Sequence, residues 1–259
     1  MSHRRQSFQI GQPQPSLEPT FDIESGIFST AAHDTVYTIF APLHYAPRYD
    51  YPLIVWLHGP GSDERQLMRI MPLISMRNYV AVAPRGTLQE SDDPSRGEVY
   101  GWSHSEKGLQ LAEQRIFDSI ELTRQRFNFG QRRVFLAGFD CGGTMAFRVA
   151  MNHPYRFAGI LSLGGVFPTG RAPLSRLPEA RQLPVFLATG RRSTVYREVD
   201  VCADLRLLHT AGLSITLRLY PCGHELSPQM LADVDRWIID QITTPVSAAS
   251  GCDRSREDA

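Results

Sequence analysis

The chain has 259 residues, of which 42% are hydrophobic, and its 27 Lys plus Arg are balanced by 27 Asp plus Glu. This composition is typical of a globular protein with one sizeable core. A formal net charge of zero argues against a general polyanion binder, so no nucleic-acid partner is expected. The four cysteines form no CxxC pair and the histidines show no ligand spacing, so no metal or cofactor is predicted.

The two ends of the chain differ from its middle. Residues 1–20 and 244–259 predict flexible tails around one domain over residues 21–243. The first tail carries Arg4 and Arg5 without an apolar stretch after them, which does not fit a signal peptide. No apolar run is long enough to cross a bilayer. A cytoplasmic location without integral membrane association is therefore the default expectation.

Between the tails, short apolar runs alternate with amphipathic segments. Strands are predicted at 36–41, 53–57, 79–83, 134–137, 157–163, 185–188 and 215–219, and helices at 63–77, 109–127, 143–152, 199–210 and 229–242. The acidic pair Asp63-Glu64 suits the start of the first helix, and a loop is predicted over 84–105. Strands that are apolar on both faces and alternate with helices indicate an α/β protein. We expect a mainly parallel twisted sheet with helices on both faces.

Three loops after predicted strands carry residues suited to catalysis. They read HGPGSD at 58–63, GFDCGG at 138–143 and YPCGHE at 220–225. In a parallel sheet such loops meet at the carboxyl ends of the strands, where ligands bind. Their order, with APRG at 83–86 and YGW at 100–102 between them, resembles the α/β-hydrolase fold. More narrowly, it resembles the phospholipase/carboxylesterase family of small serine esterases and acyl thioesterases, over residues 36–242.

The middle loop has the spacing of a nucleophile elbow, a strained turn that needs small residues two before and two after its apex. Gly138 and Gly142 flank Asp140 at that spacing. A register with Cys141 at the apex would put Phe139 in a flanking position, where it is too bulky. Asp140 is therefore the predicted apex. Cys141 then begins the next helix, a position that can lower the pKa of a thiol and make it reactive.

The resemblance also shows where this sequence departs from the family pattern. The family has Ser at the apex, where this chain has Asp140, and an acid after the next-to-last strand, where it has Ser193. The family's catalytic histidine corresponds to His224. The resemblance further implies an oxyanion hole formed by the N–H groups of Cys141 and residue 60. Residue 60 is Pro60, which has no N–H, and losing one oxyanion donor costs about 3–4 kcal/mol.

Three functional interpretations remain open. In the first, Asp140 is a nucleophile that attacks an alkyl carbon, as in haloalkane dehalogenases and epoxide hydrolases, with Glu198 or Asp200 replacing the missing acid. In the second, His224 activates Ser193 on an ester or thioester while Asp140 orients the imidazole. In the third, which the sequence favours, Asp140 and His224 pair, each favouring the charged form of the other. The protein is then a weak or inactive ester hydrolase that retains a cleft for a small acyl or ester-like ligand.

Other residues have lesser expected roles. His58 is predicted to brace its loop. His104 and Trp102 lie in the long loop, and are expected either to line the cleft or to be surface loop residues. Cys202 and Cys222 are expected to be buried or half-buried structural thiols.

Overall fold

The computed structural model describes residues 27–32, 35–89, 98–170 and 174–244, the first of these ranges by its backbone alone. The tail predicted at 1–20 lies outside these residues, as does the tail predicted at 244–259 except for residue 244.

A twisted sheet of eight strands forms the centre of the molecule. Its strands are β1 (Ile27–Ala32), β2 (Thr35–Phe40), β3 (Tyr51–Leu57), β4 (Val80–Pro84), β7 (Phe129–Phe139), β8 (Gly159–Leu163), β9 (Val185–Gly190) and β10 (Ile215–Tyr220), while β5 (Thr87–Gln89) and β6 (Val99–Gly101) pair separately. The strand order is β1-β2-β4-β3-β7-β8-β9-β10. The first two pairings are antiparallel and the remaining five are parallel. The predicted α/β architecture is confirmed.

Helices cover both faces of this sheet. They are α1 (Gln66–Ile74), α2 (Glu106–Arg124), α3 (Cys141–Asn152), α4 (Leu177–Ala180), α5 (Glu198–Thr210) and α6 (Pro228–Thr243), with a short 3-10 helix at Pro154–Arg156. Helices α2, α3 and α5 pack on one face, and α1 and α6 on the other. Every residue of β3 is buried as a result. Burial on both faces explains why the central strands are continuous apolar runs.

Several elements differ from the prediction, which included neither β1 nor α4. Helix α1 begins at Gln66 rather than at residue 63, because Glu64 is fully buried and accepts hydrogen bonds from the Arg85 guanidinium at 2.6 and 2.7 Å. Asp63 accepts a hydrogen bond from the Arg65 N–H just before the helix (2.9 Å). The predicted loop over 84–105 contains the β5–β6 pair, whose three-residue strands are too short for a periodic pattern to reveal.

The parallel strands direct their carboxyl ends to one edge of the sheet, which is where the three loops meet. Strand β3 ends at Leu57, β7 at Phe139, β9 at Gly190 and β10 at Tyr220. Among the described residues, no helix combines the length and the apolar character needed to cross a membrane.

Candidate active site

Asp140 lies at the turn between β7 and α3. Its backbone φ of 51° and ψ of −120° fall outside the regions that non-glycine residues favour. The turn is tight, since a Cβ on Gly138 would lie 2.4 Å from the carbonyl carbon of Gly142. A Cβ on Gly142 would lie 2.2 Å from the backbone oxygen of Leu57. The apex of this strained elbow is occupied by Asp140, and Cys141 is the first residue of the helix.

His224 follows β10 and contacts the apex carboxylate. Its Nε2 lies 2.5 Å from Oδ2 of Asp140, and the two side chains are 16% and 21% exposed, so the pair is partly shielded from water. An ionised carboxylate only accepts hydrogen bonds, so Nε2 carries the proton in this contact. A serine hydroxyl at the apex would donate to the same nitrogen. The direction of the hydrogen bond is therefore opposite to that in a serine hydrolase.

Ser193 lies on the other side of the imidazole, in the loop after β9. Its Oγ is 3.0 Å from Nδ1 of His224 and accepts a hydrogen bond from the Tyr196 N–H, also at 3.0 Å. When the imidazole is neutral with its proton on Nε2, the Ser193 hydroxyl donates to Nδ1. The residue is only 7% exposed. The structure thus brings Ser193, His224 and Asp140 into one hydrogen-bonded chain, in which the serine and the acid have exchanged places.

The two acids considered as replacements do not join this chain. Asp200 pairs with Arg197 at 2.9 Å, and Glu198 lies exposed in the first turn of α5. Within the described part of the chain, neither makes a hydrogen bond to His224. Its Nδ1 contacts Ser193 instead.

The loop after β3 lacks a free N–H group at the expected oxyanion position. Pro60 is exposed and has no N–H, and its neighbours in the loop use their N–H groups within the protein. These hydrogen bonds run from Gly59 to Gln66 Oε1 (3.3 Å), from Gly61 to the Tyr100 oxygen (3.2 Å) and from Ser62 to the Gly59 oxygen (3.3 Å). The N–H of Cys141 remains, because the first N–H groups of a helix have no partner within it. One of the two expected donor positions is therefore missing.

His58 supports this loop from inside the protein. It is fully buried, its Nδ1 lies 2.9 Å from the Gly59 oxygen, and its Nε2 accepts a hydrogen bond from the Gly86 N–H at 2.9 Å. Burial lowers the pKa of His58, which keeps the ring neutral as this acceptor role requires. Trp102 is also buried and donates to the His58 oxygen at 3.0 Å. It braces the loop, so it neither lines the cleft nor lies at the surface.

The thiols differ from the predictions. Burial, together with the Asp140 carboxylate, raises the pKa of Cys141 to about 11. The expectation that this thiol is reactive is therefore wrong. Burial and the nearby carboxylate disfavour the thiolate more than the helix N-terminus favours it. Cys222 is buried, but Cys202 is exposed, so the expected burial is wrong for Cys202.

A cleft of about 830 Å³ adjoins this set of residues. It runs between α2, α3, α5 and the loop after β8, and Asp140 and His224 are not among its lining residues. The connection is Thr144, which lines the cleft one helical turn after Asp140 and donates its N–H to the Asp140 oxygen at 3.0 Å. His104 lines the cleft as expected. Sequence reasoning missed Thr144 and Arg148, although their four-residue spacing from Asp140 places them on one helix face.

A mainly parallel sheet, a strained strand–turn–helix elbow and a histidine after the last strand define an α/β-hydrolase. Within that class, the chain belongs to the phospholipase/carboxylesterase family, whose model matches residues 47–242.

Similarity to individual proteins is low in sequence but extends over most of the domain. The chain is 22% identical over 198 residues to "Putative hydrolase MhqD" of Bacillus subtilis (strain 168), covering 73% of this chain and 94% of MhqD. Acyl-protein thioesterase 2 of Zea mays superposes with a TM-score of 0.65 at 17% identity, covering 80% of this chain and 98% of that one. A carboxylesterase from Mesorhizobium loti gives a TM-score of 0.65 at 18% identity, with coverages of 82% and 98%. At these identities the structural likeness shows the fold alone.

Proposed function

We propose that this family member binds a small acyl or ester-like ligand and hydrolyses esters weakly or not at all. The observation that carries the proposal is the 2.5 Å contact between Asp140 Oδ2 and His224 Nε2. In a serine hydrolase this nitrogen takes the proton of the nucleophile, whereas here it donates a proton to a carboxylate. The histidine has no hydroxyl group to activate at the elbow.

The loop after β3 supports the same proposal. Pro60 has no N–H and its neighbours use theirs within the protein, which leaves the Cys141 N–H as the donor at the expected oxyanion position. Loss of one oxyanion donor typically costs about 3–4 kcal/mol, or roughly 100- to 1000-fold in turnover. A tetrahedral intermediate would be poorly stabilised even if water attacked the ester directly.

Ser193 is a weak candidate for the missing nucleophile. It is buried, and its Oγ already accepts a hydrogen bond from the Tyr196 N–H. Ser193 and Asp140 contact opposite nitrogens of His224, so the hydroxyl lies across the imidazole from the elbow. A nucleophile needs access to substrate and to the oxyanion donors, and this position favours neither.

One observation favours a second function, in which Asp140 is the nucleophile. The carboxylate occupies the strained apex, and its Oδ1 makes no hydrogen bond with the described residues. Oδ1 would attack an alkyl carbon, forming an ester with Asp140 and releasing the leaving group with its bonding electrons. Water activated by His224 would then hydrolyse that ester and regenerate the carboxylate. The contact of Nδ1 with Ser193 rather than an acid weighs against this second step.

Hydrolysis assays on the purified chain separate these functions. With p-nitrophenyl esters of short and long acyl chains and with acyl thioesters, we expect no more turnover from wild type than from His224→Ala. Turnover that is lost in His224→Ala but retained in His209→Ala, a change at an exposed histidine of α5, would contradict the proposal. For the second function, a single turnover of an alkyl substrate in heavy-oxygen water must label the Asp140 carboxylate. Turnover without that label would rule out Asp140 as the nucleophile.

A further inference from the structure

Helix α3 carries a row of polar side chains from the elbow into the cleft. Asp140, Thr144 and Arg148 are four residues apart and therefore share one face of the helix. Thr144 and Arg148 line the cleft. At 1.5 Å per residue, the Cα of Arg148 lies about 12 Å along the helix from that of Asp140. Helical side chains lean toward the helix N-terminus, which is the end that carries Asp140.

Arg148 has no carboxylate partner among the described residues. Its Nη2 donates to the Thr169 oxygen at 2.7 Å, and its Nε is buried without a hydrogen-bond partner. Burial lowers the pKa of Arg148, with no neighbouring carboxylate acting against it. Arg85 is the opposite case, because the hydrogen-bonded Glu64 carboxylate raises its pKa. Arg148 is therefore a partly desolvated cation that still has donors for an anion.

The carboxylates that line the same cleft have other partners. Glu113 contacts His153 (3.1 Å) and Asn152 (3.2 Å). Asp204 accepts hydrogen bonds from Tyr196 Oη (2.8 Å) and the Phe167 N–H (2.9 Å). Asp200 pairs with Arg197 (2.9 Å), and Glu106 also has a partner. None of the contacts given for Glu113, Asp204 and Asp200 involves Arg148. Among the described residues, no carboxylate lies close enough to Arg148 to raise its pKa.

The other walls of the cleft suit the remainder of an acyl ligand. Leu109, Val166 and Phe167 provide apolar surface. His104 lines the cleft as well, and burial together with the Arg148 charge lowers its pKa. The imidazole is therefore neutral near pH 7 and adds no second cation. At the elbow, the Asp140 carboxylate repels a negative ligand group, which favours the uncharged end of the ligand there.

We infer that Arg148 binds a carboxylate at the far end of an acyl ligand, whose uncharged ester end lies toward Asp140 and His224. The ligand class is a monoester of a dicarboxylic acid. This inference rests on the proposed ligand-binding function and adds the chemistry of the ligand to it.

Calorimetric titration of the full chain with matched esters tests this assignment. The probes are monomethyl and dimethyl esters of dicarboxylic acids from glutaric to suberic acid. At the chain length that fits best, we expect the monoester to bind wild type at least about tenfold more tightly than the diester. Arg148→Gln should remove this preference by weakening monoester binding, while Arg148→Lys should keep part of the preference. Arg132→Gln, at an exposed arginine of β7, is the matched control and should bind like wild type.

The outcomes distinguish this inference from the function on which it rests. Equal affinity of wild type for monoester and diester, or a preference that persists in Arg148→Gln, overturns the role of Arg148 alone. Failure of every probe to bind overturns the ligand-binding function together with the inference. NMR spectra of the titrated samples report any ester cleavage separately. Rapid cleavage would contradict the proposed weak hydrolysis while leaving a preference that depends on Arg148 intact. Thermal unfolding of Arg148→Gln verifies that the variant is folded.

Discussion

Oδ2 of Asp140 and Nε2 of His224 lie 2.5 Å apart, at the point where an α/β-hydrolase brings its nucleophile and its base together. The contact has the position of a nucleophile–base contact, but its hydrogen bond runs in the opposite direction, because a carboxylate accepts the hydrogen bond that a serine would donate. A chain whose formal charges cancel therefore carries a partly buried carboxylate, hydrogen-bonded to a histidine, at the carboxyl edge of its sheet.

Introducing the three groups of the family pattern that this chain lacks should restore esterase activity in steps. Asp140→Ser supplies a hydroxyl at the apex, Ser193→Asp supplies an acid behind His224, and Pro60→Leu supplies an N–H in the oxyanion loop. We expect the triple variant to release p-nitrophenol from p-nitrophenyl acetate in a burst. The double variant that keeps Pro60 should turn over roughly 100- to 1000-fold more slowly. Stopped-flow absorbance measures both.

Adding His224→Ala to the triple variant is the control and should abolish the burst. A folded triple variant with no more activity than wild type would show that these three groups do not limit esterase chemistry.

The elbow predicts opposite outcomes for two glycines. A Cβ on Gly142 would lie 2.2 Å from the Leu57 oxygen and 2.6 Å from the His58 oxygen, both of which belong to the backbone. Gly142→Ala should therefore lower the free energy of unfolding by about 2–3 kcal/mol, although Ala is the better helix former. A Cβ on Gly223, next to His224, meets no atom within 4 Å. Gly223→Ala should change stability by about 0.5 kcal/mol or less. Urea unfolding of both variants makes the comparison, and equal effects would contradict the tight elbow.

The buried His58 should make stability depend on pH. Its pKa is lowered in the folded protein, so as the pH falls the unfolded state takes up a proton first. The stabilisation is fully present above the unfolded pKa of about 6.5 and is lost progressively below it. We expect the free energy of unfolding to decrease from pH 7 to pH 5, and to decrease less in His58→Gln. Some dependence on pH should remain in His58→Gln, because the pKa of His104 is also lowered in the folded protein.

The control for this dependence is His209→Gln, at an exposed histidine of α5, which should keep the wild-type slope. A slope unchanged in His58→Gln would show that the proton uptake occurs elsewhere.

The thiols should react with iodoacetamide at very different rates. With a pKa of about 11, Cys141 is only about 0.1% thiolate at pH 8, whereas Cys202 is exposed. Peptide mass spectrometry should find Cys202 alkylated first. Asp140→Asn removes the charge next to Cys141 and should accelerate its alkylation. Labelling of Cys141 as fast as that of Cys202 would contradict the protonated thiol.

Particular residues show how much of this structure could be predicted from the sequence. Strands such as β3 are buried on both faces, so their apolar runs identified them, and the glycines around Asp140 revealed the elbow. The start of α1 could not be predicted, because Glu64 pairs with Arg85 from a distant part of the chain. The pKa of Cys141 depends on its burial, and the lack of a carboxylate partner for Arg148 among the described residues depends on which acids lie nearby. Local patterns contain neither kind of information.

Intact-protein mass spectrometry under turnover conditions tests most directly whether the Asp140–His224 pair has replaced acyl-enzyme chemistry. Wild type is mixed with excess p-nitrophenyl butyrate and quenched in acid at times from milliseconds to minutes. We expect the unmodified mass at every time, and a butyryl adduct in the triple variant treated in the same way. A butyryl adduct on wild type that maps to Ser193 and disappears in His224→Ala would contradict the central claim.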